Sequence, residues 1–402
     1  MKLLSAVLAF IAILGCQKPE SHAKFVFYFI GDGMGLAQVS LAEAYLADSK
    51  GKIGSEALSF TQFPVLGTAT TFSASNIITC SSAAGTALAT GVKTNNGMLG
   101  VTPDTLDLEA ITYKIRDAGY KVGITSTVTL DHATPAAFYA HSAYRNDYYH
   151  IAVQLPETGF DFFGGGGFIQ PEGREKDRTS VITLIEDAGY SIAYGMEAFE
   201  ESRNAQKVVL LQDKSKNYLD ALPYAIDRKE GDMTHEDIVR AAVEFLENEN
   251  GFFLMSESGR IDWAGHSNDG KTAILETLDL DEAVQVAVEF SRKHPEQTLI
   301  VVTADHETGG LSLGWESQYN MYFDQLAGQT ASIDNVLASR DRDMVLNIRE
   351  MNKKSRIGWT TSSHTGIPVP VYAMGTNSHL FSGRMDNTDI PKKICQAMGI
   401  AF

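Results

Sequence analysis

An apolar run that ends abruptly in two carboxylates and an imidazole is the feature that most constrains the fold of this chain. The run begins at Gly251, and Glu257, Asp262 and His266 follow it closely. A short apolar run between glycine and polar residues is typical of a buried strand in a parallel sheet. Because open α/β sheets bind their ligands at the carboxyl ends of the strands, we expect these three side chains at the functional edge.

The spacing of Asp262 and His266 adds a chemical prediction. The two residues are four positions apart, which places both side chains on one face of a helical turn. A carboxylate with an imidazole suits zinc, whereas the carboxylate of Glu257 alone suits a harder ion such as magnesium. The structural alternative is that Glu257 and Asp262 only cap or flank a helix.

Two more apolar runs end in a similar way. Phe25–Ile30 precedes Asp32 in Gly31-Asp-Gly-Met-Gly35, and Thr298–Val302 precedes Asp305 and His306. The carboxyl ends of parallel strands meet at one edge of a sheet, so the three groups of side chains should converge there. This convergence favours a metal site over helix capping.

The alternation of helix and strand patterns predicts an α/β fold with a mostly parallel central sheet and helices on both faces. The chain has 402 residues, enough for a large core, and shows no obvious linker. Helices are predicted at about 36–47, 108–118, 180–188, 234–247 and 272–293, with strands at 121–127, 160–163, 208–211 and 369–374. Residues 310–360 lack strand periodicity and are predicted to form an insertion of loops and short helices over the site.

The N-terminal segment predicts export. Residues 1–16 combine a basic start with an apolar run too short to span a bilayer, as in a secretory signal. Ile13-Leu-Gly-Cys16 resembles the bacterial lipoprotein signal, although an ordinary signal peptide with an incidental cysteine is the alternative. We therefore expect a periplasmic or cell-surface lipoprotein anchored at Cys16, with a polar tether at 17–23 and a single domain at 24–402.

The net charge of the chain limits the kinds of partner that it is expected to bind. A formal net charge of −17 argues against nucleic acid or an anionic lipid surface as a binding partner. The expected contact with the membrane is therefore the lipid anchor. Bound divalent cations would offset part of that charge where an anionic substrate approaches. Apart from Cys16, the chain contains only Cys80 and Cys395, so a disulfide framework is not expected.

The segment around Ser81 has the features of a reactive turn. It passes from β-branched residues to small helix formers, so Ser81 is predicted at the start of a helix, where free N–H groups attract anions. The simpler role for such a serine is an N-cap. The small residues behind it, including Gly85, suggest close packing. Farther along, the guanidinium of Arg145 could hold two oxygens of a phosphate.

Several of these segments together resemble the alkaline phosphatase family over nearly the whole chain after the signal. They are Gly31-Asp-Gly-Met-Gly35, Ser81-Ser-Ala-Ala-Gly-Thr-Ala87, Thr90-Gly-Val-Lys-Thr94, Ala133-Thr-Pro-Ala-Ala137, Glu257 with Asp262 and His266, Thr303-Ala-Asp-His306 and His364-Thr-Gly366. The resemblance implies hydrolysis of phosphate monoesters by a three-metal enzyme with a serine nucleophile.

The resemblance also implies roles for individual residues. One zinc would be held by Asp262, His266 and His364, and a second by Asp32, Asp305 and His306. Magnesium would be held by Asp32, Thr134 and Glu257. Ser81 would be the nucleophile that forms a phosphoserine intermediate, and Arg145 would clamp the phosphate.

The chain departs from the family pattern at three positions beside the site. The residue before the nucleophile is commonly aspartate in this family, where it orients the arginine, but here it is Cys80. His132 and Trp263 stand beside the metal ligands, and neither is charged at alkaline pH, so we expect product phosphate to be held less tightly. A sulfatase-type modified cysteine is not expected, because Cys80 lacks the C-x-P-x-R motif.

Two other functions remain as alternatives. A phosphodiesterase or nucleotide pyrophosphatase of the same superfamily resembles the two zinc sites, but Thr134 and Glu257 favour the monoesterase. A lipoprotein that binds metal or phosphate without turnover would not require both Ser81 and Arg145. Members of the family are often dimers, so a homodimer is one expected assembly.

Overall fold

The computed structural model describes residues 22–213, 221–316 and 319–402, and a large β-sheet runs through them. The strands of the described residues are β1 (Phe25–Gly31), β2 (Val65–Thr70), β3 (Lys121–Ser126), β4 (Phe162–Gly165), β5 (Ser191–Tyr194), β6 (Val208–Leu211), β7 (Phe252–Ser258), β8 (Thr298–Thr303), β9 (Glu307–Thr308), β10 (Leu311–Leu313), β11 (Ile357–Trp359), β12 (His364–Thr365), β13 (Val369–Gly375) and β14 (Gly383–Asp386).

Helices flank this sheet along the chain. Within the same described residues they are α1 (Leu36–Ser49), α2 (Ser81–Thr90), α3 (Ile111–Asp117), α4 (Ala133–Ala136), α5 (Tyr148–Ala152), α6 (Val181–Asp187), α7 (Gly195–Ser202), α8 (His235–Leu246), α9 (Arg260–His266), α10 (Gly270–Lys293), α11 (Ile333–Ala338), α12 (Arg342–Lys354) and α13 (Asp389–Met398). Among the residues described, no helix combines the length and the apolar character needed to cross a bilayer.

The main sheet has the strand order β14-β2-β13-β8-β1-β7-β3-β4-β6-β5. Its neighbours pair in parallel except around β13, which is antiparallel to both β8 and β2. The predicted fold class, a mostly parallel sheet between helices, is confirmed. The strands at the centre of the sheet are buried apolar runs, as expected where helices cover both faces.

The register of the three central strands sets the level of the site. Ile30 of β1 pairs with Glu257 of β7 on one side and with Thr303 of β8 on the other. Asp32 and Asp305 each lie two residues beyond this level, so the carboxylates leave neighbouring strands at nearly the same height. The convergence predicted from the three apolar runs is confirmed.

The core joins this sheet to the long helix α10 through aromatic rings. Phe290 of α10 contacts Phe25, Phe27 and Phe252, with ring centroids 5.0, 5.5 and 5.4 Å away.

Helix α8 begins with a capping box, in which Thr234 and Asp237 each bond the backbone N–H of the other. The N-terminal chain also joins the core, since Ala23 is buried and its N–H donates to the carbonyl of Ala397.

The segment 310–360 contains more regular structure than its sequence suggests. Besides the short α11, it includes the 13-residue helix α12 and an antiparallel pair formed by β10 and β11. Each of these two strands has three residues, too few to show an alternating pattern. Strands β2, β5 and β14 were not predicted because none of them is a continuous apolar run, whereas β6 is the apolar run predicted at 208–211.

Replacing Phe290 by alanine should destabilise the fold because the ring is 3% exposed and fills the space between α10 and the sheet. We expect the free energy of unfolding to fall by about 3–5 kcal/mol, measured as a lower urea midpoint. Leu346→Ala on α12 is the matched control, because that side chain is 61% exposed and should change stability by less than about 0.5 kcal/mol. Equal shifts for the two variants would contradict this account of the core.

Candidate metal centre and nucleophile

The turn after β1 brings the strand ends into contact. The N–H of Asp32 donates to the carbonyl of Ser258, and the N–H of Gly33 donates to Asp305 Oδ1 at 3.1 Å. Gly33 has a φ of +74°, and a Cβ there would lie 2.8 Å from the Cα of Asp262. Glycine is therefore required at this turn because α9 approaches the backbone so closely.

Asp262, His266 and His364 form one group of candidate ligands. His266 Nε2 lies 3.3 Å from Asp262 Oδ2, and His364 Nε2 lies 3.2 Å from His266 Nε2. The Nδ1 atoms of the two histidines lie 2.7 and 2.9 Å from the carbonyls of Ser362 and Thr79. These carbonyls accept the Nδ1 protons, so in the neutral form of each ring Nε2 carries the lone pair that could bind a metal.

Asp32, Asp305 and His306 form a second group, which is fully buried. His306 Nε2 lies 3.4 Å from Asp32 Oδ1 and 3.1 Å from Asp305 Oδ2. The rings of His306 and His364 stack with centroids 3.5 Å apart, which brings the first and second groups side by side. Ligand atoms of Asp262, His306 and His364 also come within 4.8 Å of one another.

A third group forms around Glu257 on the other side of Asp32. Ligand atoms of Asp32, Glu257 and His132 come within 4.8 Å of one another. Thr134 is buried on α4, and its hydroxyl has no hydrogen-bond partner, as is also true of Glu257 Oε1. The other oxygen of Glu257 accepts a hydrogen bond from Ser126. Sequence analysis treated His132 only as a neighbour of the ligands, whereas its ring nitrogen is close enough to Asp32 and Glu257 to share a metal ion with them.

The carboxylates of these groups are strongly perturbed. Burial, reinforced by the charge of Asp305, raises the pKa of Asp32 well above its usual range, and burial with the charge of Asp262 does the same for the pKa of Asp305. Burial also raises the pKa of Glu257 to about 7, although nearby hydroxyls favour its ionised form. Both carboxylate oxygens of Asp32 and Oδ2 of Asp305 lack a hydrogen-bond donor. Buried acceptors without donors are the groups that a divalent cation satisfies.

The imidazoles differ according to their exposure. Burial lowers the pKa of His306 well below its usual value and lowers the pKa of His132 to about 3. Both rings are therefore neutral at neutral pH, the form that binds metal. The carboxylate of Asp262 raises the pKa of His266 to about 9, and the side chain of His266 is 40% exposed. His266 therefore lies at the open side of the cluster.

Ser81 lies at the first position of α2, and Cys80 occupies the N-cap position before it. The hydroxyl of Ser81 is therefore not used as an N-cap, and it lies 3.3 Å from His306 Nε2. Gly85 lets α2 approach α4, since a Cβ there would lie 3.3 Å from the Cα of Thr134. The close packing suggested by the small residues is confirmed, and it joins the serine to the third group.

The sequence comparisons identify relatives over most of the chain. The family model described as "Alkaline phosphatase" matches residues 23–161 and 171–400. Alkaline phosphatase 3 of Bacillus subtilis (strain 168) is 33% identical over 427 aligned positions, which cover 94% of this chain and 90% of that protein. The chain belongs to the alkaline phosphatase family. The resemblance predicted from the motifs is confirmed.

Solved structures of alkaline phosphatases agree with the fold. The cold-active enzyme of a Shewanella species is 29% identical, with a TM-score of 0.82 over 93% of this chain and 99% of that chain. A mutant of the phosphatase from the Antarctic bacterium TAB5, with one histidine replaced by glutamate and Mg bound in the M3 site, is 29% identical. Its TM-score is 0.77 over 96% of this chain and 100% of that chain. The prediction that this chain is a phosphoric monoester hydrolase is confirmed.

Cys80 supports the segment that carries Arg145. The N–H of Gly97 donates to Cys80 Sγ at 3.1 Å, and the carbonyl of Gly97 accepts the backbone N–H of Arg145 at 2.8 Å. Burial disfavours the Cys80 thiolate, but Ser82 and backbone N–H groups outweigh that effect and lower the pKa of the thiol. Two hydrogen bonds through Gly97 therefore connect Cys80 with the backbone of Arg145 in this phosphatase.

Sequence analysis missed the role of Thr308. Its hydroxyl donates to Asp262 Oδ1 and lies 3.2 Å from His306 Nδ1, so it links the first two ligand groups. Thr308 belongs to β9, which pairs with β12 and thereby positions His364 opposite it. The available signal was the two-residue spacing from His306, which places alternate side chains on one face of a strand.

Chelation of bound metal should destabilise this phosphatase, and the effect should grow with pH. In the stripped protein the pKa of Glu257 is raised to about 7, so the folded state retains protons that the unfolded state has released. Stability from this group is complete below its unfolded pKa and is lost as pH rises through about 7. Metal binds only the ionised ligands, so the loaded protein does not share that loss.

Thermal unfolding with and without a chelator checks this expectation. The fall in Tm on chelation should be larger at pH 8 than at pH 5.5, and zinc with magnesium should restore the original Tm. A chelation effect that is constant across this pH range would contradict the assignment of the buried carboxylates as metal ligands.

Proposed function

We propose that this phosphatase hydrolyses phosphate monoesters through a phosphoserine intermediate on Ser81. The observation that carries the proposal is the position of the Ser81 hydroxyl, uncapped at the start of α2 and 3.3 Å from His306 Nε2. Three groups of carboxylates and imidazoles converge around it. A metal- or phosphate-binding lipoprotein without turnover would not need a nucleophile at this point.

The ligand groups fit two zinc ions and one magnesium ion. Mixed nitrogen and oxygen donors suit zinc at Asp262, His266 and His364, and again at Asp32, Asp305 and His306. The all-oxygen set of Asp32, Thr134 and Glu257 suits magnesium, with His132 within reach. Bound there, the cations would neutralise the carboxylates, favour the ionised form of a hydroxyl or water, and offset charge on the phosphoryl oxygens.

The reaction on the chain itself has two displacements. Ser81 Oγ forms a bond to phosphorus as the ester oxygen departs, which leaves a phosphoserine and an alcohol. A water molecule then attacks the same phosphorus, restores the Ser81 hydroxyl and releases inorganic phosphate. The free N–H groups at the start of α2 and the guanidinium of Arg145 would hold the phosphoryl oxygens during both displacements.

The TAB5 mutant supports the magnesium assignment. That protein carries glutamate in place of a histidine and has Mg bound in its M3 site. We propose that the equivalent site here is the group around Glu257. The neutral rings of His132 and Trp263, with centroids 5.8 Å apart, would then border it and hold product phosphate loosely.

Export and assembly belong to the same proposal. The predicted signal at 1–16 and the anchor at Cys16 lie outside the described residues. We propose a periplasmic or cell-surface lipoprotein, in which the substrate is a small phosphate monoester and the membrane is met only through the lipid. A homodimer, frequent in this family, is the proposed assembly.

Removing the nucleophile tests the covalent route. Ser81→Ala should lower kcat/KM for 4-nitrophenyl phosphate by roughly 10³-fold or more, because no other group can form the ester to phosphorus. After acid quenching, wild-type protein should retain covalent phosphate and the variant should retain none. Ser82→Ala, at the neighbouring hydroxyl, is the matched control and should keep the label. Covalent phosphate on Ser81→Ala would overturn the proposal.

The same preparation separates the monoesterase from the diesterase. Turnover of 4-nitrophenyl phosphate should exceed turnover of bis(4-nitrophenyl) phosphate between pH 7 and 10. A preference for the diester would indicate that the protein is a phosphodiesterase. The absence of turnover in a metal-loaded sample would favour a binding role.

Cys80 provides a test of how the arginine is positioned. Cys80→Ala removes the acceptor for the N–H of Gly97, so the segment carrying Arg145 should loosen. We expect the KM for 4-nitrophenyl phosphate to rise roughly fivefold, the equivalent of about 1 kcal/mol, with a smaller change in kcat. Cys80→Ser restores an acceptor and should recover most of the affinity. Identical KM values for the alanine and serine variants would show that Cys80 does not position Arg145.

A further inference from the structure

A basic and aromatic cavity lies on the insertion, beside the open side of the metal cluster. It has a volume of about 430 Å³, and its walls include Trp315, Arg349, Lys353 and Trp359, together with Asn268. Two of the three tryptophans in the chain are therefore in one cavity. Among the described residues that line it, none is acidic, although acidic residues outnumber basic ones by 50 to 33 in the whole chain.

The two basic side chains of this cavity are available to bind a ligand. Lys353 Nζ lies 5.0 Å from the ring centroid of Trp315, a cation–π contact that orients the ammonium. Within the described ranges, neither Arg349 nor Lys353 has a carboxylate partner. The neighbouring Lys354 does have one, in Glu350 at 3.8 Å.

The cavity begins close to His266. Asn268 follows His266 by two residues and has a left-handed backbone with φ of 52°. Its amide nitrogen donates to the carbonyls of Gly265 and Thr361 at 2.9 Å, which holds the side chain between α9 and the insertion.

The direction of the proposed reaction leads toward this cavity. Ser81 contacts His306, so the attacking oxygen is on the side of the second ligand group. In-line displacement sends the leaving oxygen to the opposite side of the phosphorus, toward His266 and His364. His266 has a side chain 40% exposed, whereas that of His364 is 12% exposed, so the path to solvent passes His266.

We propose that this cavity binds the leaving group of the substrate, and that the preferred leaving group is a ring bearing its own negative charge. A tryptophan face suits a sugar ring or a base, and Arg349 and Lys353 suit a second phosphate or a carboxylate. The inference rests on the proposed function, since it assumes the direction of displacement from Ser81.

Matched substrate pairs test the inference. The first pair is glucose 1,6-bisphosphate and glucose 6-phosphate, and the second is adenosine 3′,5′-bisphosphate and adenosine 5′-phosphate. Within each pair only the bisphosphate carries a second anion. The first pair tests a sugar as the leaving group, and the second tests a nucleoside. In at least one pair, kcat/KM should be higher for the bisphosphate, and Lys353→Ala should lower that preference roughly fivefold. Trp315→Ala should lower kcat/KM for the same bisphosphate relative to 4-nitrophenyl phosphate.

Lys354→Ala is the matched control, because it removes the same charge from the adjacent residue outside the cavity and should preserve the preference. Equal kcat/KM values within both pairs, or the same loss in Lys353→Ala and Lys354→Ala, would overturn the inference. In either of those cases, turnover of 4-nitrophenyl phosphate with Ser81-dependent labelling would leave the proposed function standing. Absence of that turnover would instead refute the proposed function.

Discussion

The burial of four carboxylates at one edge of the sheet is the constraint on which the rest of the site depends. Asp32, Glu257, Asp262 and Asp305 are all buried, and their charges repel one another. The raised pKa values of three of them show that protonation is one way to relieve this repulsion. Divalent cations are the other way, and they also satisfy oxygens that have no donor. A fold that gathers these groups is therefore suited to binding divalent metal at neutral pH.

The histidines of the site differ in exposure, and therefore in whether they hold a proton when no cation is bound. The buried ring of His306 is kept neutral by its surroundings and is ready to act as a ligand. The exposed ring of His266 faces Asp262, so without a cation its pKa rises to about 9 and it holds a proton there instead. Metal and proton therefore compete most directly at the open side. Thr308, which donates to Asp262 and contacts His306, keeps the two groups at a fixed separation.

Much of this arrangement could be predicted because it depends on local patterns. The apolar runs of β1, β7 and β8 are long and buried, and each is followed by an aspartate, so both the sheet centre and the convergence of ligands are visible in the sequence. Prediction failed where tertiary contacts decide. The strands β2 and β14 at one end of the sheet are partly exposed and are not continuous apolar runs, and the reach of His132 to Asp32 depends on how α4 packs against α2. Local patterns also did not place His364, which was expected at the site only from the family resemblance and reaches the cluster through a two-residue pairing with β9.

Because the chain as a whole is strongly negative, recognition of an anionic substrate depends on groups close to the site. At physiological ionic strength, charges on exposed side chains are screened beyond about 8 Å, so the acidic surface repels a phosphate ester only weakly at the site. Within that distance the charge of Arg145 acts on the histidines of the cluster, and under the proposed function the bound cations would add to its field. Cys80 is connected to the backbone of Arg145 through Gly97. Because Arg145 pairs with no carboxylate of the described residues, its guanidinium is available to an anionic ligand.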